Sequence, residues 1–297
     1  MSQADVLHQQ ACSASRQYMG AVAWPTIALG LLFFVSYCAA VALALTGYLS
    51  LFLAVPLVAV LTYLSYTILH DSAHGSISGN RRSMRWVNEG LGYMAAWILM
   101  IPLTAHRFEH MAHHRHTNDE AQDPDFHVGR MRNSLPAVVR ATTQGIVSQF
   151  TYYAKYRWKK APARQNLYLC LEVAAALVPR LAVCAAGFWV EGLALFVLAW
   201  LLGATMVLYL FAYIVHRPHA QTGRYVDTST ILLPTPLLNW LWMFQNYHSI
   251  HHLFPRVPFY KYGQLYTEIE AIMAAKGAPV YRLTTRGLKA MPLKVTA

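Results

Sequence analysis

Charge is what this chain has least of. Asp, Glu, Lys and Arg make up 12% of its 297 residues, against about 25% in an ordinary soluble domain. So few charges cannot clothe a water-soluble globule of this length. With 56% hydrophobic residues and a mean hydropathy of +0.30, the chain is expected in a membrane. Acidic residues are scarcest, 13 against 24 Lys and Arg. The resulting charge of +11 is not a nucleic-acid signature, because the basic residues cluster beside apolar segments. Cysteine is nearly absent. Cys12, Cys38, Cys170 and Cys184 form no CxxC pair, and three of them lie in apolar runs. That argues against a disulfide framework and against a thiolate metal site. A cleavable leader is not legible either. Residues 1–22 are polar, contain His8 and Arg16 and have no apolar core, so the first apolar run is expected to stay in the membrane.

What the chain does have is long apolar runs. A helix needs about 20 apolar residues to cross the hydrocarbon. Residues 24–46 and 49–69, joined at Gly47 and Tyr48, are predicted to form one membrane hairpin. Residues 167–190 and 193–215 are predicted to form a second, turning at Glu191-Gly192. The third span carries Glu172 near one end and Pro179-Arg180 near its middle. An arginine at that depth is expected to face protein or water. Residues 91–103 are apolar but too short to cross, and read as an interfacial or re-entrant helix. Residues 231–244, with Trp240 and Trp242, read as another interfacial segment, and 264–275 as an amphipathic helix. The fold expected is all-α, one membrane-embedded domain over residues 1–297, with four spans in two hairpins. Of the 24 Lys and Arg, 13 lie between residues 71 and 165 and 9 after residue 215, with none in the hairpin turns. This predicts both termini and the middle region in the cytoplasm, in a bacterial inner membrane.

Histidine is the most informative residue type. Three boxes read His70-x-x-x-His74, His110-x-x-His113-His114 and His248-x-x-His251-His252. Spacings of three and four put the imidazoles of a helical box on one face, and neutral imidazole is the commonest metal ligand among side chains. Each box lies beside an apolar segment, and all three are expected on the cytoplasmic side. One HxxxH alone is weak, and satisfied interfacial polar residues explain it as well. Two copies of HxxHH beside it are a strong signal. His216, after the last span, is level with the boxes; as a lone helix-end histidine it would simply complement the helix dipole. His106 and His116 flank the second box, and His127 lies outside every box.

Ligating imidazoles usually give their other N–H to a carboxylate or carbonyl. Asp71, Asp119, Asp123 and Asp125 are the candidates, although each reads equally well as a solvated loop residue. Eight or nine histidines suit two ions with open positions, where O₂ binds on iron. Copper fits the same ligand type.

These motifs resemble the membrane fatty acid desaturase superfamily, enzymes with three histidine boxes and two irons. The residues that carry the likeness are HDSAHG at 70–75, HHRHTND followed by DPD at 113–125, and QNYHSIHHLFPRVPFY at 245–260. They are most similar to desaturase-like β-carotene hydroxylases and bacterial lipid desaturases. The resemblance implies four spans carrying a cytoplasmic helical cap. It implies metal ligation by His70, His74, His110, His113, His114, His248, His251 and His252, with His216 as an extra ligand. The cofactors implied are two Fe²⁺ ions, with O₂ as co-substrate. No cytochrome b5 or ferredoxin domain is fused to the chain, so electrons are expected from an external donor such as a ferredoxin.

The chemistry implied is removal of a hydrogen atom from an unactivated C–H of a lipophilic substrate, a fatty acid, acyl lipid or carotenoid. Desaturation or hydroxylation of a lipid, β-carotene ring hydroxylation, and oxidative decarboxylation of a free fatty acid to a 1-alkene all remain open. Tyr152, Tyr153, Tyr156 and Trp158, interleaved with Lys155, Arg157, Lys159 and Lys160, read as an interfacial belt rather than a substrate entrance. The rival from another class is a histidine-lined metal transporter. Transporters hold their ligands near the bilayer midplane, and these boxes lie beyond the span ends.

Overall fold

The computed structural model describes residues 3–131 and 134–292. It is mostly helical. Helix α1 is Gln3–Ser15. Helix α2, Trp24–Leu45, starts with Pro25 in its first turn, where a missing amide hydrogen costs nothing. Helix α3 is Leu51–His74. Helices α4, Arg85–Leu99, and α5, Leu103–His116, follow, then α6, Leu135–Tyr156. Helix α7 is Ala163–Ala185 and α8 is Trp189–Tyr213. Helices α2, α3, α7 and α8 are long and apolar enough to cross a membrane. Half of the apolar window of α3 is buried against 11% of that of α7. Helix α3 is therefore the inner post of the bundle, and α7 is the one most open to lipid.

Helix α3 runs past residue 69, so that His70 and His74 ride on its last turns. It ends at Gly75, whose φ of +70° is the left-handed conformation that glycine adopts without strain. Helices α4 and α5 form a short hairpin that enters the bundle without crossing it. Leu91 packs on Gly30 of α2, Trp97 lies edge-on to Phe34 and Tyr37, and Gly92 sits close to Ser72 of α3. The hairpin turns at Met100, Ile101 and Pro102, and α5 then climbs back with the second box.

The second long hairpin turns earlier than the sequence suggests. Ala186–Phe188 makes the reversal, with Gly187 at φ +101°, whereas Glu191 and Gly192 already lie in the first turn of α8. Gly192 is needed there for closeness: a Cβ would meet Cys184 Sγ at 2.4 Å. Where α8 crosses α3, Gly203 lies against Ala59 O and Thr62, each 2.7 Å from where a Cβ would stand.

Arg180 faces protein, as its depth demands. Its guanidinium lies 4.4 Å from the Trp97 ring centre and 5.4 Å from that of Phe196. It donates to Ala176 O at 2.6 Å, Trp97 O at 2.8 Å and Tyr37 Oη at 3.3 Å. Trp97 O belongs to the last turn of α4, whose carbonyls have no partner within the helix. Glu172 caps the opposite member of that hairpin, accepting from the amide and hydroxyl of Thr104 at the start of α5.

The remaining segment departs from an all-helical expectation. Strand β1, Thr230–Leu232, runs parallel to β2, Val280–Thr284, which pairs antiparallel with β3, Gly287–Ala290. Ile231, expected in an interfacial segment, is instead fully buried in β1. Only the following helix α9, Pro236–Leu241, shows an exposed apolar face, through Leu237, Trp240 and Leu241. The third box forms α10, His248–Leu253, and α11, Tyr262–Ala275, packs behind it. In the expected belt, Tyr153 is buried and hydrogen-bonds Asn166, while Tyr156 and Trp158 are exposed.

Candidate metal centre

The ends of α3, α5, α8 and α10 meet on one side of the bundle, and the histidines meet with them. Ring nitrogens of His70, His74, His110, His114 and His251 lie within 4.8 Å of one another, and so do those of His113, His216 and His252. In the first group, Nε2 atoms face each other in a chain. His74 to His110 is 3.0 Å, His110 to His114 is 3.1 Å and His114 to His251 is 2.9 Å. His70 packs on His251 at a ring-centre distance of 4.1 Å. In the second group His113 Nε2 and His216 Nε2 are 2.9 Å apart. His248 stands beside them, its ring centre 4.6 Å from that of His216 and 4.7 Å from that of His252. The two groups adjoin where His114 stacks on His252 at 4.3 Å.

Hydrogen bonding does not account for this packing. A neutral imidazole carries one N–H, so a chain of facing Nε2 atoms leaves lone pairs opposed. Both ring nitrogens of His70, Nδ1 of His248 and Nε2 of His252 are buried with no partner at all. Buried unpaired polar atoms are costly. A shared cation satisfies them together, and ligands about 2.0–2.1 Å from one ion stand about 3 Å apart when adjacent. The donor set, nitrogen only and with no thiolate, fits iron or copper.

The electrostatics agree with ligand duty. Burial first, and neighbouring imidazoles second, hold His110, His114, His248, His251 and His252 well below the ordinary imidazole value. His216 is pushed down to about 3 for the same reasons. All are therefore neutral near pH 7, the form that binds metal. His113 differs. Burial alone would lower it, but Asp123, then Asp125 and Asp227, outweigh burial and raise it to about 9. Its Nδ1 donates to Asp123 Oδ1 at 2.8 Å, which leaves Nε2 to face the second group. Asp123 in turn accepts the amides of Asn118 at 2.8 Å and Asp125 at 2.9 Å.

Other partners orient other rings. His251 Nδ1 pairs with Tyr262 Oη at 2.9 Å, and His216 Nδ1 donates to Ala212 O at 2.6 Å. Ala212 lies in a π-helical turn over Leu208–Tyr213. Such wide turns inside α-helices often occur at functional sites. Asp227 Oδ2 lies 4.0 Å from His252 Nδ1.

The four aspartates singled out in the sequence separate. Asp123 touches His113, and Asp125 is 3.8 Å from the same nitrogen. Asp71 is buried but turned away from the imidazoles, accepting from Thr26 and the Phe259 amide. It ties the first box to the segment after the third. Asp119 caps its own turn through the amides of Ala121 and Gln122. His106 stacks on His110 and pairs with Gln149 Oε1 at 3.0 Å, and with His116 it joins neither group. His127 also lies outside both, with Nδ1 on Pro124 O at 3.1 Å. Asp227, Tyr262 and Gln149 have no signal in the sequence, because only long-range packing brings them to their rings.

The chain is similar in sequence to known proteins. Over 251 residues the chain is 28% identical to a protein named beta-carotene ketolase from Paracoccus sp. (strain N81106 / MBIC 01143), covering 80% of this chain and 86% of that one. Residues 46–284 match the family profile described as fatty acid desaturase. That stretch takes in all three boxes, His216, Asp123, Asp227 and Tyr262, and three of the four long apolar helices. The chain belongs to the fatty acid desaturase family.

Proposed function

We propose that this membrane oxidoreductase holds two iron ions and uses O₂ to oxidise a C–H bond of a lipophilic substrate. The observation that carries the reading is the pair of adjoining imidazole groups, buried or half-buried, free of thiolate and neutral except at the aspartate-backed His113, beside the ends of two apolar helices. His70, His74, His110, His114 and His251 hold one ion. His113, His216 and His252, with His248 beside them, hold the other. Iron bound there supplies O₂ activation and hydrogen-atom removal.

The chain's own residues do the rest. Asp123, Ala212 O and Tyr262 fix the rings of His113, His216 and His251 so that each Nε2 points inward. Tyr66 and Phe211, packed edge-on at 4.7 Å beside His70, close the lower side of the first group against water. Hydroxylation by one O₂ consumes two electrons and two protons and releases one water. The electrons come from a separate carrier such as a ferredoxin, and the basic surroundings of the boxes suit an acidic partner. In this reading the boxes and both termini face the cytoplasm.

Desaturation or hydroxylation of an acyl chain is the first reading of the reaction. Oxidation of a β-carotene ring is the second, and the ketolase relative favours it. Cells expressing the chain or its His113→Ala variant, supplied with fatty acids and β-carotene, separate the two by mass spectrometry of lipids and headspace. A new unsaturated or hydroxylated acyl chain, absent from the variant, supports the first. A hydroxylated or ketolated carotenoid supports the second, and a 1-alkene replaces both with decarboxylation. Identical profiles in cells that also express a matched carrier would sink the reading.

A further inference from the structure

An apolar cavity of about 1000 Å³ lies between α4, α7 and α8, and none of the nine clustered histidines lines it. It follows α7 from Tyr168 to Cys184, about 24 Å at 1.5 Å per residue. Leu177, Leu181 and Leu193 on its rim are exposed, so it opens sideways to the surrounding lipid. Two charged residues line it, Glu172 and Arg180.

Arg180 is only 5% exposed. Its hydrogen-bond acceptors, two carbonyls and a tyrosine hydroxyl, are all neutral. No carboxylate among the described residues lies within ion-pair distance of it, and its Nε is buried without a partner. A buried cation without a counter-charge is costly, and aromatic faces and carbonyls offset that only in part. A guanidinium presents five N–H donors in a planar fork that fits carboxylate or phosphate oxygens. Glu172 stands eight residues earlier on the same helix, about 12 Å away along the axis. Its carboxylate is held by Thr104 and repels an acid at that end. The two charges therefore give the cavity a polarity.

We propose that this cavity binds an anionic amphiphile, with its carboxylate or phosphate head at Arg180 and its hydrocarbon chain running along α7 towards Glu172 and Pro102. The site does not depend on the metal centre or on the reaction proposed for it. Arg180 also ties α2, α4 and α7 together, so the test must move something that a purely structural tie would not.

Trp97 and Trp200 line the cavity, and bromine on an acyl chain quenches tryptophan fluorescence. The full chain in nanodiscs of zwitterionic lipid is titrated with a brominated fatty acid. Palmitate, lysophosphatidate and hexadecanol then compete. The acids are expected to displace the probe at concentrations at least about ten-fold lower than the alcohol, as a charge-assisted hydrogen bond implies. The better of the two acids identifies the head as carboxylate or phosphate. In Arg180→Gln acid and alcohol should compete alike, while Arg180→Lys keeps the acid preference. Trp97→Phe should remove a large part of the quenching. If Arg180→Gln does not fold, the wild-type comparison and the lysine variant decide. The proposal is overturned if the alcohol competes as well as the acids in the wild type. It is equally overturned if Arg180→Gln keeps the preference, or if Trp97→Phe leaves quenching intact.

Discussion

The two imidazole groups touch, yet what stands behind them differs. The first has five rings, backed by a tyrosine hydroxyl and by other imidazoles, with no carboxylate in ion-pair reach among the described residues. The second has three rings in close mutual reach and His248 at its side, and three aspartates stand behind it at 2.8, 3.8 and 4.0 Å. Negative charge behind an imidazole makes it a stronger donor and offsets the charge of a bound cation. Two ions held here would thus be inequivalent. The first has more donors, and the second has fewer donors but more compensating charge.

The largest effect expected comes from removing a ring. His252→Ala should lower turnover more than about 100-fold and bring iron, measured by elemental analysis, towards one ion per chain. His74→Ala should stop turnover too but retain more iron, because four neighbours remain in its group. Equal iron loss in the two variants would mean that donor number does not govern retention. Next come the residues behind the rings. Asp123→Asn should reduce metal affinity or activity about 10- to 100-fold, and Tyr262→Phe only a few-fold, because it removes a neutral hydrogen bond. The reverse order in a metal-competition titration would break the comparison.

Acid should act on the metal-free protein in a direction set by the majority of the rings in the two groups. His110, His114, His248, His251 and His252 titrate well below the ordinary value of 6.5 when folded. The unfolded chain therefore binds more protons below about pH 6.5, and stability falls as pH falls. His113, raised to about 9, works the other way: its contribution is present below about 6.5 and is lost as pH rises through about 9. With His216 also held down, at about 3, six rings against one make acid the destabilising direction. Melting temperatures of metal-free protein should drop from about pH 8 to about pH 5, and a rise would assign dominance to the aspartate-backed ring. The smallest effect expected is that of His127→Ala, which should leave iron content unchanged. Loss of iron there would redraw the boundary of the centre.

Much of this was legible because it is local. The spacing of each box fixes which imidazoles share a helix face, and Gly75 marks where α3 ends. Asp123 sits close enough along the chain to its histidine to be suspected. Asp71 sits closer still to a box and faces the other way, since the helix turns it towards Thr26. Asp227 and Tyr262 reach their rings only through folding of distant segments. The turn at Gly187 was hidden by the polar pair Glu191-Gly192, which α8 accommodates inside its first turn. Strand β1 was hidden because Thr230–Leu232 has the composition of an interfacial segment. Its register is set by residues 280–282, and Thr230 fastens to Ser249 beside the third box at 2.6 Å.

The crossing at Gly203 bears on the centre from a distance. Helix α3 carries His70 and His74 at one end and meets α8 at Thr62, and α8 leads to His216 a few turns beyond Gly203. The two imidazole groups thus sit on the tips of two levers that share a fulcrum inside the apolar bundle. A methyl group at residue 203 would be a shim at that fulcrum, small where it is inserted and magnified at the tips. The spacing between the two imidazole groups is in this sense ruled off within the apolar helices of the chain, and the boxes inherit it.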